Sequence, residues 1–408
     1  MRQDTPLRRR PAAGPAILLA ASFLAAATPA AGQAVSQARG PEVLGFTKSF
    51  AVEIVNPSPL HLENHAVVID VAGIRAAVAP DFNTYMYALF DNKAGEYALV
   101  VSQADDLDRD RHHDEIVLVR TLPPSSTTRL LCYYTPGRSF QLMASQKAYA
   151  RPSWEAGGPE AGWESNLAAF AFLRGAVAFY GKLQPDLVLK NLPARQGKAA
   201  DWGMAVLEPG DTAGLGGLSL YDGDKRVALF GPGAPRAKVT VVAPGPVRAL
   251  VQAEYPPVAT ALGEVALTVR FSAFADGAAG RQDVVLTSAA AGPFLYGPAL
   301  ENPGGGAWSV DPAAGYAAGW GRGAGKAGEI GLAAVFPPAV LAGADETAAG
   351  RAFRFKGRPG RTLTHWVMGA WERGAGAPEG QASKAWARRV AETAARLLAP
   401  VRVELKAK

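Results

Sequence analysis

Indoles occur in three short segments, W-E at residues 154–155, W-E-S-N at 163–166 and W-G-M at 202–204, and carboxylates and an amide stand beside them in the first two. Sugar rings have apolar faces that pack on indoles, and their hydroxyl edges need carboxylate or amide partners. A carboxylate beside a tryptophan can also have a raised pKa and act as an acid. The segments therefore predict a carbohydrate site in which Glu164 is a catalytic acid and the sugar contacts are Trp154, Trp163, Asn166 and Trp202. The alternative for each residue alone is a core aromatic or a turn cap.

Two further groups of residues could belong to the same site. His365 is a candidate acid or base because the unperturbed pKa of histidine is near neutral pH, and a core position is the alternative. Polar residues also lie on or beside two strands predicted to be neighbours, and these are Arg248, Gln252, Glu254, Tyr255 and Arg270. Arg248 suits the carboxylate of an acidic sugar through bidentate pairing, with Tyr255 beside it. The alternative is that these side chains only solvate an outer face of the sheet.

An acidic run at residues 106–115 has the spacing of a calcium loop. Positions 1, 3, 5 and 9 of this loop are Asp106, Asp108, Asp110 and Asp114. The carbonyl of His112 at position 7 would complete the oxygen shell that Ca²⁺ prefers. Arg111 departs from the pattern, because such loops usually have a glycine there for a sharp bend. The run predicts a Ca²⁺ site, with a solvated acidic loop as the alternative, and no organic cofactor is expected.

The chain that positions these residues is predicted to be mainly β. Short strands separated by turns fill residues 46–145, and alternating strands follow at 247–254 and 264–271. Strands of this kind belong in an antiparallel sheet with one buried face. One helix is predicted at 383–398, and the glycine-rich residues 303–328 are predicted to be loops. The order of elements favours antiparallel β-sandwiches, with an N-terminal β unit at 42–148 and a sandwich domain at 149–408 that could be continuous with it.

Residues 1–33 have the composition of an export signal. Three arginines at 8–10 precede an apolar stretch at 16–27 that is too short to span a bilayer, and small residues follow. The formal net charge is +6, and removing the leader leaves 38 basic and 35 acidic residues. A chain so close to balance, without a basic stripe, is not expected to bind nucleic acid. We expect a periplasmic or secreted protein without membrane contact after cleavage, in which the single cysteine, Cys132, is buried.

Several motifs follow one another along the chain after the leader. They are V-N-P-S-P-L at 55–60, the acidic run, W-E-S-N-L-A-A-F at 163–170, W-G-M at 202–204, G-P-V-R at 245–248 and G-A-W at 369–371. This ordered set resembles an exported bacterial family of unknown function, often found with enzymes that degrade pectin and other uronate polysaccharides. The resemblance implies a β-supersandwich similar to galactose mutarotases and to the sandwich halves of polysaccharide lyases. It assigns no catalytic residue, and residues 194–200 lack the Tyr-His pair that relatives often have before W-G-M.

Two functions agree with these patterns. The first is an enzyme that acts on uronate-containing, pectin-like oligosaccharides by hydrolysis or β-elimination. Glu164 and His365 would then be the acid and base, and Arg248 would be the carboxylate partner. The second is a protein that binds an oligosaccharide or polysaccharide without turnover. An enzyme needs Glu164 and His365 to face one deep cleft, whereas a binding protein can use a shallow aromatic face.

Overall fold

The computed structural model describes residues 45–93, 95–139, 144–192, 201–290, 292–323, 325 and 327–408. The predicted export signal and the first residues of the predicted N-terminal β unit lie outside the described residues. We number the strands and α-helices in chain order. None of the helices in the described part of the chain is both long and apolar enough to cross a membrane.

The N-terminal part contains β1 (Lys48–Asn56), β2 (Leu62–Asp70), α1 (Val71–Ala77), β3 (Tyr87–Lys93), β4 (Glu96–Val100), β5 (Ser102–Asp105), β6 (Glu115–Leu122) and β7 (Ser126–Tyr134). The central part contains β8 (Ala148–Pro152), β9 (Ala161–Ser165), β10 (Ala169–Leu173), β11 (Ala176–Lys182), β12 (Gly203–Leu207), β13 (Leu215–Asp222) and β14 (Lys225–Ala228). A 3₁₀ turn at Leu189–Asn191 follows β11.

The C-terminal part begins with β15 (Lys238–Pro244), β16 (Arg248–Thr260), β17 (Gly263–Phe274), β18 (Ala279–Thr287), β19 (Phe294–Glu301), β20 (Gly304–Asp311), β21 (Tyr316–Arg322) and β22 (Glu329–Val335). After a 3₁₀ turn at Pro338–Val340 it continues with β23 (Leu341–Thr347), β24 (Gly350–Gly357), β25 (Thr362–Trp371), α2 (Ala382–Leu397) and β26 (Arg402–Ala407).

Two antiparallel sheets form the N-terminal unit. One has the order β26-β1-β7-β3-β4, and the other has the order β2-β6-β5. Alternate residues of β1, among them Phe50, Val52 and Ile54, are buried in a hydrophobic cluster that both sheets share. Cys132 is buried in the same cluster, as predicted. Because β26 pairs with β1, the last strand lies in the first sheet, far in sequence from its neighbours.

The larger part of the chain is a two-layer sandwich. One layer is an eight-stranded sheet with the order β15-β16-β17-β18-β25-β22-β21-β20. The other layer consists of two five-stranded sheets, β12-β11-β10-β9-β8 and β14-β13-β19-β24-β23, joined by a bridge between Val177 and Gly214. The rings of Trp163 and Phe172 lie 5.0 and 5.5 Å from that of Phe271 across the layers, centroid to centroid. The predicted antiparallel β-sandwich is therefore confirmed.

Helix α2 covers part of the outer face of the eight-stranded sheet. Its Trp386 is buried, with a ring centroid 6.4 Å from that of Trp320 on β21. A Cβ atom added to Gly331 would lie 2.7 Å from the Trp386 ring, so only glycine lets the indole approach β22 this closely. The predicted helix is confirmed to within one residue at each end.

The prediction of loops at 303–328 is wrong, because β20 and β21 lie there. Glycine normally weakens a strand, since it contributes no side chain to the packing. Here the missing side chains make room for neighbours. A Cβ on Gly319 would lie 3.0 Å from the Trp308 ring, and one on Gly321 would lie 2.7 Å from the Cα of Gly306. Composition alone does not distinguish glycines that allow close packing from glycines of a loop.

Arg248 on β16 joins the eight-stranded sheet to the three-stranded sheet of the N-terminal unit. Its Nε donates to Asp105 at 2.7 Å, and its Nη2 donates to Glu115 at 2.8 Å. The Oε1 of Gln103 accepts from the backbone N–H of Val247 and of Arg248, at 2.7 and 3.0 Å. Arg248, Asp105 and Gln103 are all buried. This hydrogen-bonded group, which we call the Arg248 joint, is the structural role of an arginine predicted to bind substrate.

His365 lies on the opposite, inner face of the eight-stranded sheet. The side chain is 0% exposed, and one ring nitrogen, Nε2, lies 2.9 Å from Oε1 of Gln282. The other ring nitrogen has no hydrogen-bond partner among the described residues. Burial lowers the pKa of His365 to about 3, because the protonated form would carry an unsolvated charge. The residue is therefore a neutral core histidine at neutral pH.

Arg248→Ala is expected to lower the free energy of unfolding by about 3–5 kcal/mol, because Asp105 would remain buried without its cation. Urea unfolding followed by circular dichroism measures the loss. Arg270→Ala is the matched control, since Arg270 is only partly buried and donates to a neutral partner, Gln252, at 2.9 Å. Its loss should be about 1 kcal/mol. Equal losses in the two variants would contradict a special role for the Arg248 joint.

His365 is expected to make stability depend on pH. The histidine pKa is about 6.5 in the unfolded chain and about 3 in the folded one. Between these values the unfolded state binds more protons, so the free energy of unfolding falls as the pH is lowered. The contribution of one residue is at most about 1.4 kcal/mol per pH unit.

Unfolding titrations of wild type and His365→Gln at several pH values between these limits isolate that contribution. The variant should lose stability less steeply with acid, while His61→Gln, at an exposed position, should behave as wild type. Parallel curves for wild type and His365→Gln would show that His365 is not buried in its neutral form.

Candidate functional site

Trp163 lies in the core of the sandwich rather than on its surface. It is 1% exposed, and its ring stacks on Phe170 with centroids 5.8 Å apart and planes at 21°. Phe271 contacts the same ring from the other layer. An indole enclosed in this way cannot pack on a sugar ring. The prediction of Trp163 as a sugar contact is therefore wrong, and the residue is a core aromatic.

Glu164 is closed off from solvent in a buried ion pair with Lys182. It is 0% exposed and accepts from Lys182 Nζ at 2.6 Å and from the N–H groups of Val188 and Leu189 at 2.9 and 2.8 Å. Lys182 Nζ also donates to two backbone carbonyls, at 2.6 Å each, which uses all three of its donors. Burial raises the pKa of Glu164, and the cation of Lys182 opposes that rise. Glu164 therefore fixes the segment after β11 and does not face a substrate.

The two predicted catalytic residues do not face one cleft. Successive side chains of a strand point to opposite faces of its sheet. Trp163 packs in the sandwich core, so Glu164 points to the outer face of its five-stranded sheet, against Val188 and Leu189. His365 is buried between the layers. The acid and base predicted from the sequence are therefore separated by a layer of the sandwich.

The remaining predicted sugar contacts are divided between core and surface. Tyr255 is buried in the sandwich core, 6.5 Å from the ring of Phe172, and Arg248 belongs to the joint. Trp154 and Trp202 are partly buried and pack against one apolar cluster on the outer face of the β8–β12 sheet, Trp202 beside Tyr180 of β11 and Trp154 beside Gly162 of β9. The guanidinium of Arg151 lies 5.3 Å from the Trp154 ring centroid, and a Cβ on Gly162 would lie 2.9 Å from the same ring. Little of the Trp154 ring is left for a ligand.

Asn166 holds the turn between β17 and β18. Its Nδ2 donates to Asp276 Oδ1 at 2.8 Å, and its Oδ1 accepts from the Asp276 N–H at 2.8 Å. Ser165 Oγ donates to the carbonyl of Gly277 at 2.6 Å, and Lys147 Nζ lies 2.8 Å from the Asp276 carboxylate. This turn forms the rim of a cleft, so Asn166 positions the cleft wall.

The cleft, with a volume of about 500 Å³, opens on the outer face of the eight-stranded sheet. Its floor comes from β18 and β25, and its walls come from β2, the β17–β18 turn, α2 and residues 399–403. This volume is in the range of small-ligand sites. The polar and aromatic residues that line it are Glu63, Asn64, His65, Phe274, Asp276, Arg281, Thr364, Trp366, Arg389, Thr393 and Arg396.

A cation and an indole stand side by side on the floor of the cleft. Arg281 on β18 and Trp366 on β25 are directly opposite each other in the antiparallel ladder, and both are partly buried. Arg281 Nε donates to Asp283 at 2.9 Å, and Asp283 also accepts from the Thr364 hydroxyl. Asp283 therefore orients the guanidinium beside the indole.

His65 reaches the cleft from β2. The pairing of β2 with β6 shifts register between Leu62 and His65, and Asn64 has a positive φ of 46°. A bulge of this kind re-aims the next side chain, and asparagine tolerates the conformation better than most residues. Burial, and then repulsion by Arg281, lowers the pKa of His65, so the imidazole is neutral at pH 7. The sequence signal for this bulge is Asn64, because asparagine is one of the few residues that readily adopt a positive φ.

Positive charge exceeds negative charge among the residues that line the cleft. The cations are Arg281, Arg389 and Arg396, and the carboxylates are Glu63 and Asp276. Arg396 lies 3.6 Å from Glu63, and Asp276 is paired with Lys147. Arg389 donates to the carbonyls of Gly376 and Ala377, which leave its charge uncompensated. Arg281 is itself paired with Asp283, so Arg389 supplies the excess positive charge that favours an anionic ligand.

The acidic run forms the loop between β5 and β6. Carboxylate oxygens of Asp106, Asp108 and Asp114 lie within 4.8 Å of one another, whereas Asp110 is outside this group and accepts from the His112 N–H at 2.7 Å. Arg111 has a positive φ of 76°, the conformation usually supplied by glycine in calcium loops. Three convergent carboxylates suit a hard cation such as Ca²⁺. They fit the predicted ion with three of the four predicted carboxylate ligands, since Asp110 lies outside the group.

Comparisons with known proteins identify a sequence family for this chain but no activity. A comparison with curated proteins gives no significant match. An alpha-mannosidase from Enterococcus faecalis V583 superimposes with a TM-score of 0.44 at 9% identity, covering 88% of this chain and 46% of that one. A glycosyl hydrolase family 38 protein from Enterococcus faecalis gives 0.48 at 8% identity, with coverages of 88% and 47%.

The chain thus spans about half the length of these two proteins, and a likeness at this level carries no information on activity. The sequence profile of a domain of unknown function, DUF4861, matches residues 54–403. That match covers most of the sequence and includes both the N-terminal unit and the sandwich. The protein therefore belongs to the DUF4861 family.

Proposed function

We propose that this protein is a periplasmic or secreted carbohydrate-active protein that takes uronate-containing, pectin-like oligosaccharides in the cleft on the eight-stranded sheet. The observation that carries the proposal is the pairing of Arg281 with Trp366 on the cleft floor. Residues 1–33, with the composition of an export signal, support the location.

Arg281 and Trp366 together match the two chemical parts of a uronate. Residues directly opposite in an antiparallel pair have Cβ atoms about 4.5–5.5 Å apart, which is close to the width of one sugar ring. The apolar face of a pyranose can pack on the indole, while its carboxylate accepts from the guanidinium. Asp283 occupies Nε of Arg281, and the guanidinium has further N–H donors.

The walls of the cleft add to this selection. Arg389 and Arg396 extend from α2 toward the same space, and Thr393 lies between them on the helix. Carboxylates of neighbouring uronate units would meet these arginines rather than a second acidic surface. A neutral glycan would gain the aromatic contact alone, so the charge distribution favours an acidic chain.

Isothermal titration calorimetry with oligosaccharides from pectate, ulvan and glycosaminoglycans, and with neutral xylo-oligosaccharides, tests the ligand class. Wild type should bind at least one uronate series more tightly than the neutral one. Trp366→Ala and Arg281→Ala should each weaken that binding about tenfold or more, because each removes one of the two matched contacts. Trp202→Ala, an aromatic control outside the cleft, should bind as wild type.

Weaker binding in Trp202→Ala with unchanged binding in Trp366→Ala would move the site to the aromatic cluster on the β8–β12 sheet. Failure of wild type to bind any member of the uronate series would remove the proposed ligand class.

We further propose that Asp106, Asp108 and Asp114 bind Ca²⁺. The loop begins after Asp105 and ends before Glu115, the two carboxylates that hold Arg248. A cation there would offset the mutual repulsion of the loop carboxylates, and it would stabilise the strand ends that form the Arg248 joint.

Adding Ca²⁺ to chelator-treated protein is expected to raise Tm, since a ligand at 100 times its Kd stabilises by about 2.7 kcal/mol. Asp108→Asn should abolish the shift, whereas Asp110→Asn should retain it, because Asp110 lies outside the convergent group. Differential scanning calorimetry measures both. An unchanged Tm of wild type in Ca²⁺ would show that the run is a solvated acidic loop.

A further inference from the structure

We propose that the cleft catalyses β-elimination rather than hydrolysis, and that His65 is the catalytic residue that moves the proton. The inference rests on the proposed function, since it needs a uronate in the cleft, and it narrows the reacting uronate from the galacturonate of pectin to 4-linked glucuronate. It assigns a reaction and a catalytic residue, neither of which follows from ligand binding alone.

The position of His65 sets it apart from the other histidines in the described chain. It lines the wall of the cleft, directly after the bulge at Asn64. No described residue forms a hydrogen bond with its imidazole, whereas His365 contacts Gln282 and His113 contacts Thr84. A partly exposed imidazole without a protein partner in a ligand-sized cleft is available to a substrate.

Most glycosidases hydrolyse with a pair of carboxyl groups on either side of the scissile bond, one as acid and one as base or nucleophile. The carboxylates that line the cleft are Glu63 and Asp276. Asp276 accepts from Asn166 and Lys147, and Glu63 lies beside Arg396 on the exposed rim. Both carboxylates therefore already lie against cations of the protein, and neither is left free to act on a ligand. The cleft lacks such a pair among its described residues.

β-Elimination needs a cation at the uronate carboxylate and a neutral base at C5. Pairing with Arg281 spreads the charge that develops on the carboxylate when the C5 proton leaves. His65 takes that proton, and the electrons of the C5–H bond form the C4–C5 double bond as the bond from C4 to the glycosidic oxygen breaks. The leaving oxygen takes the proton back from His65. The atoms and charges balance with no further reactant.

The surroundings of His65 suit both halves of this transfer. Burial and the nearby Arg281 disfavour the protonated imidazole, so the resting residue is a free base, and once protonated it is a strong acid toward the leaving oxygen. One residue can do both only if the C5 hydrogen and the C4 oxygen lie on the same face of the ring. A 4-linked glucuronate has that arrangement, and a 4-linked galacturonate does not.

The experiment incubates the full-length mature protein with 4-linked glucuronate and 4-linked galacturonate oligosaccharides. It measures the ultraviolet absorbance of the conjugated double bond together with new reducing ends. We expect both signals to rise in equal amounts from the glucuronate. His65→Gln should lower kcat about 100-fold or more, the usual contribution of general acid–base catalysis, with oligosaccharide affinity unchanged. His61→Gln, at the exposed position before β2, should have wild-type kcat.

Five results would overturn the inference. New reducing ends without the absorbing product would show hydrolysis. Full kcat in His65→Gln, with calorimetry showing wild-type affinity, would remove His65 from the reaction. Product from galacturonate alone would exclude a proton returned by the same residue. Binding of both oligosaccharides without product would leave the proposed ligand class intact and remove catalysis, whereas absence of binding would remove the ligand class itself.

Discussion

The alternation of side chains along β18 and β25 is the constraint on which the site depends. Neighbouring residues of a strand point to opposite faces of the sheet. Two adjacent residues can therefore lie one in the buried core and the other in the open cleft. Gln282 and His365 point into the sandwich, whereas Arg281 and Trp366, their sequence neighbours, line the cleft. The same register of the two strands buries Gln282 and His365 and exposes Arg281 and Trp366 to the cleft. A shift by one residue would exchange the two sets, and the buried face therefore fixes the register.

The cleft exists because separate parts of the chain cover only part of that outer face. Helix α2 packs through Trp386 at one side, and the N-terminal unit packs at the other, held by Arg248. Between them the face remains open. The Arg248 joint therefore helps to form the cleft, because it holds the sheet whose strand β2 carries His65. Buried polar groups of this kind contribute more to a fixed arrangement than to net stability.

The W-E-S-N segment shows how chemically reactive residue types can serve structure. Trp163 fills the core, and Glu164 closes an ion pair with Lys182. Ser165 and Asn166 fix the turn at the cleft rim. All four side chains act on the backbone or the core, and none faces a ligand. The segment therefore positions one wall of the cleft from the neighbouring sheet.

The sequence by itself determined the class of fold. Alternating patterns, turn residues and the apolar stripe of one helix predicted an antiparallel sandwich and the limits of α2, because these depend on local periodicity. The spacing of Asp106, Asp108 and Asp114 also predicted their convergence, since a loop of nine residues brings them together locally. Glycines 306, 319 and 321 misled the prediction, because their role lies in contacts with residues on other strands or well apart in sequence.

Only the tertiary structure decided which polar residues form the site. The signals in R-x-D at 281–283 and T-x-W at 364–366 were present in the sequence, as polar positions of two alternating strands. Periodicity showed that one face of each strand is polar, but not that β18 lies beside β25, 81 residues apart in hydrogen-bonded pairs such as Thr364 and Asp283. Nor did it show that β2 and α2 would wall off that face. Strand order and the packing of distant elements depend on the free energy of the whole core, which local sequence does not contain.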